Sequence, residues 1–210
     1  MTRSSPIVAL LSFVILMTRA DHRIPHHPQR VTDQVLFVSD RSGGGRWDIF
    51  CVDVDSGNMR QLTYDLGRNM APAWSPDGGR IAFASEQGEN TDIYVMDADG
   101  SNLLRLTDHH ARDAEPTWSP DGHRLAFNSE RCGREASFDI STMAADGSDL
   151  RRLTSESGLE EYPHWSPDGR RIAFTVGNRA IFVMDADGTD RRRVTEDRFF
   201  TAGSEWRPCP

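Results

Sequence analysis

The stretch WSPDGGRIAF at residues 74–83 recurs as WSPDGHRLAF at 118–127 and as WSPDGRRIAF at 165–174. A worn fourth copy, Trp206-Arg207-Pro208, stands near the end of the chain. A second run follows each copy in register: DIYVMDADGSNLLRLT from Asp92, DISTMAADGSDLRRLT from Asp139 and AIFVMDADGTDRRRVT from Ala180, with a looser DIFCVDVDSGNMRQLT from Asp48. Self-similarity at a period near 40 to 50 residues is the mark of blades or solenoid units, and it governs how every shorter motif is read.

The Trp-to-Trp intervals are 44, 47 and 41 residues, yet each Trp lies 9 residues before the Phe of its apolar run. The second run always starts 26 residues before the next Trp. Length variation is therefore confined to 83–92, 127–139 and 174–180, between two invariant halves. Each unit reads as four short strands. The first ends at Trp74, Trp118 or Trp165. Pro76, Asp77 and Gly78 then form a tight turn, as do Pro120, Asp121 and Gly122, and Pro167, Asp168 and Gly169, because Pro presets φ and Gly accepts a positive one. The second strand carries Ile81 and Phe83 on one face and Ala82 and Ala84 on the other. A third strand rich in β-formers follows, and Asp97-Ala98-Asp99-Gly100 turns the chain into a fourth. Apolar residues on both faces, large opposite small, predict an all-β propeller whose sheets pack face to face.

The chain enters the pattern at Val35–Ser39, a second strand, and leaves it at Trp206, a first strand. Together they complete one blade. The expected array is four blades: 34–63 plus 202–206, then 71–107, 115–154 and 162–195, within a domain spanning 34–206 and followed by a tail at 207–210. Pairing of two copies, or a truncated gene product, would also account for four units.

Residues 1–20, with Arg3 and the apolar stretch Ile7–Met17, read as a cleaved secretory signal peptide, too short to span a bilayer. Residues 21–33 read as a polar lead-in. The full chain carries a net charge of −8; removing Arg3 and Arg19 leaves 22 basic against 32 acidic residues, or −10. Such an acidic surface argues against nucleic acid and anionic lipid as partners. No stable membrane insertion is expected after signal cleavage. Cys51, Cys132 and Cys209 show no metal or redox spacing and read as unpaired thiols.

The repeated WSPDG-x-x-[IL]-A-F followed by [DA]-I-x-x-M-x-A-D-G-[ST] resembles the TolB-like propeller repeat, a WD-repeat-like blade, over about 34–206. The resemblance implies an exported β-propeller, commonly of six blades, that serves as a docking surface. The envelope protein that gives the family its name adds an α/β domain before its propeller and binds a peptidoglycan-associated lipoprotein. The partner implied here is accordingly a protein, an envelope lipoprotein or a membrane complex, with location in the periplasm or outside the cell.

Catalytic motifs are sparse. There is no G-x-S-x-G elbow and no H-E-x-x-H. The paired acids Asp53/Asp55, Asp97/Asp99 and Asp185/Asp187 lack the third acid and distal Glu of an EF-hand loop and read as hairpin turns. Some propeller lyases acting on pectin fragments hold a metal through histidines, so His109 or His110 with His164, helped by Glu115 or Glu161, is the set that a carbohydrate-active or metal-assisted enzyme would need. Zinc or a similar ion asks for three or four ligands. The preferred expectation is no enzyme, no cofactor and no metal.

In an antiparallel blade the 2–3 loop and the 4–1 connection emerge at one end, and insertions mark the binding face of repeat proteins. That end carries Arg41, Arg46, Arg131 and Arg134 from the 2–3 loops. The 4–1 connections add Arg68, His109, His110, Arg112, Glu160, Glu161, Tyr162, Arg198 and Phe199. Arginine with aromatic residues is the composition of an interface centre. Replacing Arg112, Arg134 and Arg198 together is expected to spare folding and weaken partner capture. The repeated tryptophans, fixed beside an invariant turn, are expected to pack between blades.

Overall fold

A computed structural model describes residues 33–131, 137–155, 158–195 and 206. Every regular element in it is a β-strand, and the strands form four antiparallel sheets in chain order. Blade 1 comprises β1 (Gln34–Ser39), β2 (Asp48–Asp53) and β3 (Met59–Gln61). Blade 2 is built from β4 (Arg68–Trp74), β5 (Arg80–Gln87), β6 (Asn90–Asp97) and β7 (Leu104–Arg105). Blade 3 holds β8 (Asp113–Trp118), β9 (Arg124–Ser129), β10 (Asp139–Ala144) and β11 (Arg151–Arg152). Blade 4 holds β12 (Glu160–Trp165), β13 (Arg171–Val176), β14 (Ala180–Asp185) and β15 (Arg192–Arg193).

The turn after each first strand follows from its residues. Ser75 Oγ donates to Asp77 Oδ1 at 2.6 Å, and that oxygen accepts Gly79 N at 3.0 Å, while Gly78 takes φ +70°. The same bonds recur at Ser119/Asp121 and Ser166/Asp168. The D-G turns close similarly: Asp99, Asp146 and Asp187 each accept the backbone N–H and hydroxyl of the Ser or Thr two residues on. These carboxylates are engaged as turn acceptors.

The outer strands are tied down by a repeated clasp. Thr107 Oγ1 accepts Ile93 N at 2.9 Å and donates to Asp92, and Asp92 also pairs with Arg105 at 2.7 Å. Asp48–Thr63–Gln61 repeats it, and blade 3 keeps two of its contacts, Ile140 N to Thr154 Oγ1 and Arg152 with Asp139. In blade 4 Ala180 stands where the acid would be, yet Thr195 still accepts Ile181 N at 2.8 Å.

Blades stack large face against small face. Phe127, Leu125 and Met143 of blade 3 enter the hollow left by Ala82 and Ala84 of blade 2, beside Ile93 and Val95. Phe83 and Ile81 pack likewise on Ile49 and Cys51 of blade 1, and Phe174 and Ile172 on Ala126 and Ile140 of blade 3. Phe83, Phe127 and Phe174 are wholly buried, each worth about 2–3 kcal/mol of apolar transfer. Cys51 is a free, buried thiol in β2; Cys132 and Cys209 lie outside the described residues.

The first strands differ from expectation in one respect. They begin at Arg68, Asp113 and Glu160, upstream of the expected blade starts at 71, 115 and 162. Each carries a bulge three residues before its Trp, where Ala71, Glu115 and Tyr162 adopt φ of +48°, +56° and +56° and the register with the second strand shifts. The bulge interrupts the side-chain alternation by which a strand is read from sequence, so its upstream half looks like loop.

The proposed signal peptide, most of the lead-in and residues 202–205 lie outside the described residues. Trp206 alone of the closing segment is described. Its indole N–H donates to His164 O at 3.0 Å, just as Trp118 donates to Ala73 O at 3.1 Å, and Arg171 lies over its ring as Arg80 lies over Trp118. Trp206 therefore occupies, against blade 4, the place of a following blade's first-strand Trp. Among the described residues no helix is long and apolar enough to cross a membrane.

Candidate functional site

The end of the array opposite the S-P-D-G turns gathers the variable 2–3 loops and the starts of the first strands. Its best-built cluster spans blades 3 and 4. Arg112, exposed just before β8, lays its guanidinium over Phe138 at 5.6 Å from the ring centre. Glu115, Glu161 and Tyr162 stand within electrostatic reach of it.

Glu115 is the organising group. Its Oε2 accepts Asn128 Nδ2 from β9 at 2.9 Å and the backbone N–H of Tyr162 from the next blade at 3.0 Å. The bulge in β12 removes Tyr162 N from the ladder to β13, and the carboxylate across the junction receives it. Burial pushes the Glu115 carboxyl up to about 7. The Glu161 charge raises it further, while the Tyr162 N–H and Arg112 oppose the rise. Glu161, half-buried, is also raised by burial, with Arg112 opposing. Burial lifts the Tyr162 phenol, helped by the two carboxylates. The result is a patch of aromatic surface, one exposed cation stacked on it and two carboxyls reluctant to ionise. It is suited to hydrogen-bonded and stacking contacts.

Other residues expected on this face have varied surroundings. Glu160 is wholly buried on β12 and pairs with Arg191 at 2.8 Å. Arg131 reaches back at 2.6 Å to Asp113, also wholly buried, which further accepts Ser129 Oγ. Arg68 lies over Trp47 at 5.2 Å, and Trp47 O accepts both Asn69 N and Asn69 Nδ2, so Trp47 joins blades 1 and 2. Arg46 pairs with Asp65 at 2.7 Å in open solvent. Arg41 covers Phe37 and Phe50 and reaches the Met59 sulfur. Arg134, Arg198 and Phe199 fall outside the described residues.

The histidines do not assemble a ligand set. His109 and His110 stack at 4.0 Å, and His109 Nδ1 accepts Ala111 N at 3.0 Å. His164 lies on β12, where its carbonyl holds Trp206. Among the described residues no group of three or more His, Cys, Asp or Glu is placed to hold a metal ion.

From the sequence, Glu115 is one of several residues of the 4–1 connections on the variable face and a candidate helper to a metal. The signal that singles it out is positional: it occupies the bulge site that is Ala71 in blade 2 and Tyr162 in blade 4. Among the described residues, only at this junction does an acid face the next bulge.

Residues 65–196 match the model of the TolB beta propeller domain. No curated protein matches the chain. Among solved structures, a putative TolB from Agrobacterium tumefaciens superposes with a TM-score of 0.69 at 28% identity, over 76% of this chain and 60% of that one. TolB from Acinetobacter baumannii gives 0.62 at 25% identity, over 75% of this chain and 39% of that one. An oligogalacturonate lyase in complex with manganese shares the fold, with a TM-score of 0.57 at 19% identity, over 70% and 42% of the two chains. The chain thus spans three fifths or less of the length of these proteins.

Proposed function

The chain belongs to the TolB β-propeller domain family, and from that premise we propose that it is an exported propeller acting as a noncatalytic protein-binding module of the bacterial periplasm or cell envelope. The observation that carries this reading is the Arg112–Phe138–Glu161–Tyr162 cluster at the junction of blades 3 and 4. Arginine stacked on an aromatic ring, beside a second aromatic and half-buried acids, is the make-up of interface hot spots. The partner is a protein, an envelope lipoprotein or a membrane complex being the classes that the family premise favours. The neighbouring Glu115 carboxyl serves a backbone and an amide donor.

The test is capture from an envelope extract on the immobilised full chain, beside an Arg112→Ala, Glu161→Gln double variant. The exposed Arg112 makes little contribution to stability, about 1 kcal/mol for its stacking on Phe138, so the variant stays folded. A protein retained by the wild type and reduced at least about tenfold by the variant is the expected result, equivalent to about 1.4 kcal/mol of binding. Equal retention on both would remove the cluster from the binding face.

A further inference from the structure

We propose that Glu115 is a pH-sensitive latch between blades 3 and 4, closed when its carboxyl is neutral and loosened when it ionises. The proposal goes beyond partner binding and stands whether or not the face binds a protein.

The geometry is particular to this junction. The three described first strands, β4, β8 and β12, each have a bulge at which the ladder to the second strand is interrupted. At β12 the bulge N–H, of Tyr162, is received by Glu115 across the blade interface, and Asn128 of β9 steadies the same oxygen. Blade 2 has Ala71 at the site of Glu115, with no acceptor to offer.

Backbone and apolar contacts hold the rest of this junction: Ser137 Oγ donates to Gly158 O at 3.0 Å, Glu160 N to Phe138 O at 3.1 Å, and Phe174 and Ile172 pack on Ala126 and Ile140. Trp165 is the inter-blade tryptophan here, yet its indole N–H is buried without a hydrogen-bond partner, whereas Trp118 and Trp206 each donate to a carbonyl of the preceding blade. Arg124, which corresponds to the ring-covering Arg80 and Arg171, instead bonds to Asp149 and Thr142. Here the cross-blade donor meets a carboxyl, whose charge can change, in place of the indole-to-carbonyl bond made by Trp118 and Trp206.

The groups facing Glu115 decide how it responds to pH. Glu161 of β12 disfavours a negative charge beside it, whereas the Tyr162 N–H of the same strand and Arg112 ahead of β8 favour one, and burial outweighs them. From β9 comes the neutral Asn128 amide. On the blade 2 strands packed against β8, the charged groups are engaged elsewhere. Arg68 lies over Trp47 and opposite Glu86 in the ladder, Arg80 over Trp118, and Asp92 pairs with Arg105.

Burial holds the carboxyl at about 7 against an ordinary 4.5. A raised acid favours the native state while protonated. Its contribution is fully present below about 4.5 and is lost as pH rises through about 7. Above that, a desolvated charge faces Glu161, and separating the blades to admit water relieves it.

Thermal midpoints of the full chain from pH 5 to 8.5 test this, for the wild type, Glu115→Gln and Glu161→Gln. The wild type is expected to lose about 5 °C or more between pH 5 and 8. Glu115→Gln, an uncharged isostere able to accept the same N–H, should flatten most of that slope, and Glu161→Gln should move the transition to lower pH. Superimposable profiles for wild type and Glu115→Gln would overturn the latch. If Glu115→Gln fails to fold, the carboxyl carbon shift of Glu115 in the wild type decides. A midpoint near 7 supports the proposal and one near 4.5 ends it.

Discussion

Asp113 and Arg131 show how a single contact changes the meaning of a residue. As a loop arginine at the variable end, Arg131 reads from the sequence as a binding residue. In the fold its guanidinium lies 2.6 Å from a carboxylate that is wholly buried. Removing one partner of such a pair leaves a buried charge and costs about 3 kcal/mol or more, far above the 0–1 kcal/mol of an exposed pair. Arg131→Ala is therefore expected to lower the urea midpoint strongly with an unchanged slope. Arg46→Ala, which removes only the exposed pair with Asp65, should leave the midpoint nearly in place. Equal effects would mean that the Asp113 pair is solvated. The pairing was not legible in the sequence because the two residues are 18 apart and meet only through the β8–β9 register. All 24 basic residues of the chain are arginines, and most of those near aromatic rings stack on them, a use that lysine serves less well.

At the level of elements, the turn-and-tryptophan unit was readable in detail because its chemistry is local: Ser, Asp and Gly make the turn whatever surrounds it. The first-strand bulge was not, since nothing in Ala71, Glu115 or Tyr162 announces a left-handed backbone. Nor was the inequality of the tryptophans, which have the same flanking sequence. Trp118 spends its N–H on Ala73 O and lies under Arg80, while Trp165 has neither partner. Trp118→Phe should therefore cost about 1 kcal/mol more than Trp165→Phe, the value of one net hydrogen bond with some stacking. Chemical denaturation of the two variants measures the difference, and equal losses would contradict it. The glycines divide in the same way. Gly78 has open space where a Cβ would go, whereas a Cβ on Gly100 would stand 2.8 Å from Leu62 O of the preceding blade. Both have positive φ, so Gly78→Ala should cost about 1 kcal/mol for backbone strain alone and Gly100→Ala clearly more.

For the whole molecule the question is how the two ends of the array meet. In repeat architectures stability is a sum of unit and nearest-neighbour terms, so loss of a terminal contact is felt locally unless the ends are joined. Trp206 seats on blade 4 through His164 O and Arg171, and the first sheet shows three described strands, lacking only the one that the closing segment would add. If that segment belongs to blade 1, Trp206 couples the last blade to the first. Trp206→Ala, a truncation worth about 3 kcal/mol when the ring is well packed, should then lower amide protection in β1 and β2 as well as in β12 and β13. Blades 2 and 3 should keep the highest protection. Loss confined to blade 4, with blade 1 unaffected, would show that the ends are not joined within one chain. A doubled mass by light scattering under the same conditions would then assign the closing contact to a second copy.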